Sequence, residues 1–140
     1  MINDIIGKIG KSINEEFNGD CQVYSESMPQ EFETPCFFVE CANYIRNKAL
    51  SSRANRFYVT ALFRVTYFPD EKSLEQNNEI WNIADRIFDA VEYIDGYSGN
   101  DLKAVVSDGV LIVTVSYSFQ AYKETDKTYM GRLRQKGGIR

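Results

Sequence analysis

Asp85, Asp89 and Glu92 recur at i, i+4 and i+7, a spacing that sets three carboxylates on one helix face. Oxygen donors in that array could hold a divalent cation, and Asp85 with Asp89 could then serve a metal-dependent nuclease. The same residues lie opposite Ile80, Ala84 and Ile87, so a solvated acidic face is the expected reading. The chain has no histidine. That removes the commonest general base, the commonest metal ligand and every Ser-His or Cys-His nucleophile pair. Gly7 and Gly10 sit inside a helical pattern, without the strand-loop-helix context of a phosphate-cradling loop. Cys21, Cys36 and Cys41 form no C-x-x-C pair. Cys36 and Cys41 lie five apart on a strand pattern and point to opposite faces, so small apolar packing residues are expected. No catalytic residue, metal or cofactor is expected.

The other chemistry is positive charge. Arg46, Lys48 and Arg53 fall in the stretch 43–55, which has no acidic residue, and Arg56 follows it. These side chains could meet phosphates, an acidic partner, or only water. Tyr44 is the one aromatic beside them, so stacking on single-stranded nucleic acid is weakly supported. A second basic group includes Lys123, Lys127, Arg132 and Arg134. From Lys123 onward six basic residues face two acidic ones, a net +4, and the chain total of −4 leaves −8 on residues 1–122. An acidic body repels a nucleic-acid backbone, so pairing with a neighbouring subunit's carboxylates suits the basic stretch better.

The elements that must position these residues are legible. Ile2, Ile6, Ile9, Ile13 and Phe17 recur at three- and four-residue steps, predicting a helix over Asn3–Phe17 with Asn3 as its N-cap and Asn18-Gly19 as its stop. Short strands are expected at Gln22–Ser25 and Cys36–Cys41, with 43–55 a loop. Phe57–Phe68 alternates strictly, with Phe57, Val59, Ala61, Phe63, Val65 and Tyr67 on one face. A second helix is expected over Ser73–Tyr93, opened by the capping box Ser73-Leu-Glu-Gln76, with Trp81 in its apolar packing. Leu102–Ser107 and Val110–Tyr122 flank Asp108-Gly109, the turn pair a type I′ hairpin requires.

The order α-β-β-β-α-β-β predicts an α+β fold, two helices packed on one face of a mostly antiparallel sheet with long strands. Strands of a dozen residues reach about 40 Å and overshoot a small core. Their ends call for a partner. The expected organisation is one domain, 1–123, and a flexible basic arm, 124–140. No apolar run is long enough to span a bilayer, and the N-terminus lacks a signal-peptide pattern, so a cytosolic protein is expected.

Several local patterns occur together. The first helix runs Met1-Ile-Asn-Asp-Ile-Ile to Ile13-x-Glu-Glu-Phe17, followed by Tyr24 and Glu33-Thr-Pro-Cys-Phe-Phe38. After the basic stretch come Arg56-Phe-x-Val59, Val65-x-Tyr-Phe-Pro69, Asn78-Glu79, Ala84-x-Arg-Ile-Phe88 and Asp108-Gly-Val-Leu111. In this combination the chain resembles the small tail terminator proteins of tailed phages, prophages and phage-tail-like particles, over roughly residues 1–122.

The resemblance implies a tail-terminator-like fold and a homohexameric ring that caps the head-proximal end of the tail tube and stops its polymerisation. It implies contacts with the tube protein, with the sheath protein in contractile tails, and with a neck protein. It implies assembly in the bacterial cytoplasm and then a place in the virion or tail-like particle, with no specific nucleic-acid binding and no membrane. The family carries no catalytic residues. The nominated partner-facing residues, Arg46, Lys48, Arg53, Arg56, Lys123, Lys127, Arg132 and Arg134, come from this sequence alone. A head-completion or neck protein is the alternative, with a nuclease or a small-molecule binding module more distant.

Overall fold

The computed structural model describes residues 1–25, 27–48, 56–70 and 77–122. Its elements are α1 (Ile2–Glu16), β1 (Gln22–Tyr24), β2 (Cys36–Lys48), β3 (Arg56–Phe68), α2 (Asn77–Val91), β4 (Tyr93–Ile94), β5 (Tyr97–Ser107) and β6 (Val110–Tyr122). The strands form one six-stranded sheet in the order β1-β2-β3-β6-β5-β4. The β1–β2 pair is parallel, whereas β4–β5 and β5–β6 are antiparallel. Two helices on a mostly antiparallel sheet make this an α+β fold, as the periodicity predicts.

By its internal contacts the chain falls into two units. The first comprises Met1–Tyr44 and Thr60–Ser118; the second takes in Ile45–Val59 and Phe119–Arg140, of which 45–48, 56–59 and 119–122 are described.

The core of the first unit follows from the two periods. Ile5, Ile9 and Ile13 lie on one stripe of α1 and are fully buried, each worth about 1.5–3 kcal/mol of transfer free energy. Ile80, Ala84, Ile87 and Val91 make the matching stripe of α2. On the sheet, Ala61, Phe63, Val65, Leu111, Val113, Val115 and Tyr117 are buried on the predicted face. Aromatic rings tie the layers together. Phe17 at the end of α1 lies 4.9 Å from Phe37 of β2, and Phe63 meets Tyr117 edge-on at 5.7 Å.

Helix α1 stops where the sequence says it should. Asn18 and Gly19 both have positive φ, and Gly19 N–H returns to the Asn14 carbonyl at 2.8 Å. Arg86 of α2 completes this terminus. Its guanidinium donates to the Glu16 carbonyl at 2.7 Å and lies 4.1 Å over the Phe17 ring. A cation there complements the negative helix end.

The structure revises four expectations. Met1, not Asn3, occupies the N-cap of α1 and makes no side-chain cap bond; helical backbone from Ile2 places Asn3 inside the first turn. Residues 43–48 are strand rather than loop. Tyr44 and Ile45 favour extended backbone, and the neighbouring β3 satisfies β2's ladder groups despite the polar residues between them. Strand β5 begins at Tyr97 rather than 102, after the short β4, which pairs through Tyr93↔Ser98 and Ile94↔Tyr97. The Gly96 turn, at φ +92, reverses the chain between them. Trp81 is 46 % exposed, not core. It sits one residue, about 100° of helix rotation, beyond Ile80, and the narrower Ile80–Ala84–Ile87 stripe already fills the contact. Helix α2 is described from Asn77, so the expected capping box at 73–76 lies outside the described residues.

At Gly99 the β5 backbone comes close to the end of α2. A Cβ there would stand 2.8 Å from both the Val91 carbonyl oxygen and Val115 Cγ2. Its N–H donates to the Glu92 carbonyl at 2.6 Å, and only a residue without a side chain fits that approach. At the far end, Asp108 (φ 50) and Gly109 (φ 78) form the predicted hairpin turn, closing the Ser107↔Val110 pair.

Candidate assembly surface

The nominated basic residues that are described lie in the second unit. Strand β2 brings Ile45, Arg46, Asn47 and Lys48 there, and β3 starts there with Arg56, Phe57, Tyr58 and Val59. Every residue from Ala42 to Lys48 is exposed, although a strand next to another usually covers one of its faces. Arg46 holds its guanidinium 4.1 Å from the centre of the Phe57 ring. Such a stack is worth about 0.5–1 kcal/mol near the surface and fixes the direction of the charge. Lys48 is exposed at the strand end. Arg56 is half-buried, and its Nε is enclosed without a hydrogen-bond partner among the described residues. An enclosed guanidinium nitrogen of this kind gains from an added acceptor. Tyr58 and Tyr122 are exposed in the same unit. Arg53, Lys123, Lys127, Arg132 and Arg134 lie outside the described residues.

Within the first unit, Asp85, Asp89 and Glu92 are exposed on the outer side of α2, where the amphipathic pattern puts them. Among the described residues no group of three or more His, Cys, Asp or Glu is placed to hold a metal ion. Two open grooves lie in this unit, one lined by Asn3, Ile6, Gly7 and Ser25 and the other by charged side chains that include Lys8, Lys11, Glu15 and Asp95. In the latter, Lys8 bridges Asp4 at 3.5 Å and Asp95 at 3.4 Å, with Tyr97 beneath its ammonium. Burial pushes the Cys21 and Cys36 thiols above the ordinary range, which lowers the thiolate share that reactivity requires. Burial likewise raises the Tyr117 phenol, whose hydroxyl stays neutral and donates to the Val91 carbonyl.

Sequence reasoning missed Trp81 and the edge of β5 as surface features. Trp81, Tyr93, Val105 and Val106 are all large apolar residues exposed in the first unit. No sequence signal marked the β5 pair: adjacent strand residues point to opposite faces, and apolar residues on both faces ordinarily indicate burial on both, yet Val105 and Val106 are exposed.

Exposed aromatics and arginines stacked on aromatic rings are residue types enriched where proteins meet one another. The chain belongs to the phage tail terminator family: a family model described as phage tail terminator protein matches residues 4–129. The resemblance read from the local sequence patterns is thereby borne out. A search of curated proteins finds no match. Membership makes the protein a structural component of a phage tail that associates with other tail proteins. No described helix is long and apolar enough to cross a membrane.

Proposed function

We propose that the protein closes into a homohexameric ring on the head-proximal end of the tail tube and stops tube polymerisation there. The observation that carries this reading is the family match over residues 4–129. A terminator must bind the last ring of the tube on one side and present no copy of that surface on the other. A heterologous, rotational interface between identical subunits supplies such a geometry. The basic positions Arg46, Lys48, Arg53, Arg56 and Lys123, with Lys127, Arg132 and Arg134 of a basic arm spanning 124–140, are the partner-facing set in this reading. Their complement is an acidic rim on the tube protein, and in a contractile tail on the sheath protein. The stacked Arg46 and the enclosed Arg56 Nε support the choice, because both hold their charge in a set direction before any partner arrives.

The test is electron microscopy of tails assembled without this protein. Overlong tubes are the expected result. Tubes of normal length that lack heads would instead make it a head-completion or neck protein.

A further inference from the structure

The sheet ends in two incompletely covered edges, both within the first unit. On one side β4 pairs only with Tyr97 and Ser98 of β5, so no described strand lies along the outer edge of β5 from Asn100 to Ser107. On the other side β1 pairs only with Cys36, Phe37 and Phe38 of β2, so no described strand lies outside Val39–Asn43. Open edges attract another strand, and small proteins usually blunt them. Strand β5 is blunted at its start, where the ladder shifts between Asn100 and Lys103 and Asp101 takes φ +54. From Ala104 to Ser107 it carries no charge, and Val105 and Val106 are 43 % and 41 % exposed.

The direction of the free backbone groups follows from the turn. Ser107 and Val110 flank a two-residue hairpin turn and so exchange both ladder bonds with each other. Alternation then points the N–H and C=O of Val106 and Ala104 away from β6, toward the open edge. We infer that this edge of β5 adds a strand from a second copy of the chain, namely the Val39–Asn43 edge of its β2. The placement of the edges selects that occupant. The two open edges stand at opposite ends of one sheet, so joining them head to tail covers both and repeats without a twofold. Pairing β5 with another β5 would leave the β2 edge uncovered. Charge does not choose between the two, since Asp101, Lys103 and Asp108 all flank the β5 stretch and Glu40 already stands 3.3 Å from Arg64. The inference rests on the ring reading and names the contact that would build the ring.

The experiment uses the full chain with Cys21, Cys36 and Cys41 replaced and tube ends supplied. A cysteine at Val106 is combined in turn with one at position 40, 41, 42 or 43, and disulfides are formed by mild oxidation. Directly opposed strand residues lie within disulfide reach. The expected result is a ladder of covalent multimers for at least one pair, which requires both cysteines in the same chain. In parallel, Val106→Pro removes an outward N–H without touching the β6 ladder. It should raise the concentration for half-maximal ring formation at least tenfold. If Val106→Pro also unfolds the domain, the cross-linking decides alone. Rings that form normally but give no ladder with any pair overturn the edge contact and leave the ring reading intact. Dimers from the Val106 cysteine alone, marking a β5–β5 contact, also overturn it. Cross-links to tube protein only would make the occupant a tube strand and overturn it too. Failure of the unmodified protein to form any oligomer on tube ends overturns both readings.

Discussion

The phenol of Tyr117 on β6 donates a 2.6 Å hydrogen bond to the backbone carbonyl of Val91, the last residue of α2. The helix end therefore has one of its orphan acceptors satisfied from the sheet, inside the core. Replacing Tyr117 with Phe keeps the ring and strands that carbonyl. The expected cost is about 1–3 kcal/mol in urea unfolding. Burial also raises the Tyr117 phenol above its ordinary value of 10.0. An acid with a raised folded value contributes stability that is fully present below its unfolded value and is lost as pH climbs toward the folded one. The wild-type protein should lose stability above about pH 10, and Tyr117→Phe should flatten that part of the alkaline limb.

The same Val91 carbonyl limits Gly99. A methyl group there meets backbone oxygen at 2.8 Å, so helix and strand must separate. Gly99→Ala should destabilise by more than about 2 kcal/mol, as overpacking against backbone does. Gly7→Ala is the matched control, since nothing lies within 4 Å of the added carbon on the exposed side of α1. It should stabilise by about 0.5–1 kcal/mol. Thermal melts of the two variants should move in opposite directions.

Lys48 separates docking from folding better than the whole basic set does. Arg46 stacks on Phe57 and Arg56 is half-buried, so substituting either alters packing as well as charge. Lys48 is exposed, and Lys48→Ser should shift stability by less than about 0.5 kcal/mol. If this side chain docks on an acidic rim, tails assembled with the variant should run longer than normal. Normal tail lengths, with the variant seated at the tube end, would remove Lys48 from the docking surface.

Trp81 should behave as a surface residue in the free protein. Its fluorescence should be open to a soluble quencher, and Trp81→Ala should cost less than about 1 kcal/mol instead of the 3–5 kcal/mol of a core tryptophan. Protection from the quencher when tube ends are added would place α2 at a contact; unchanged quenching would leave it in solvent.

Periodicity in the sequence determined the α1 stripe, the buried faces of β3 and β6, and the Asp108-Gly109 turn. In each case the constraint is local: a 3.6- or two-residue repeat, or a backbone angle few residues accept. The run of short patterns from Met1 to Leu111 was enough to point to the family. Tertiary structure decided what depends on a neighbour distant in the chain. Asn43–Lys48 became strand because β3 lies beside it, and Trp81 turned outward because three smaller residues already filled the α2 contact. Arg86, one residue of a short motif in the sequence, became the cap of α1 seventy positions earlier. The charge of the basic set could be counted from the sequence, but the ring under Arg46 and the enclosure of Arg56 Nε could not. Burial and direction are properties of packed neighbours, and composition does not specify them.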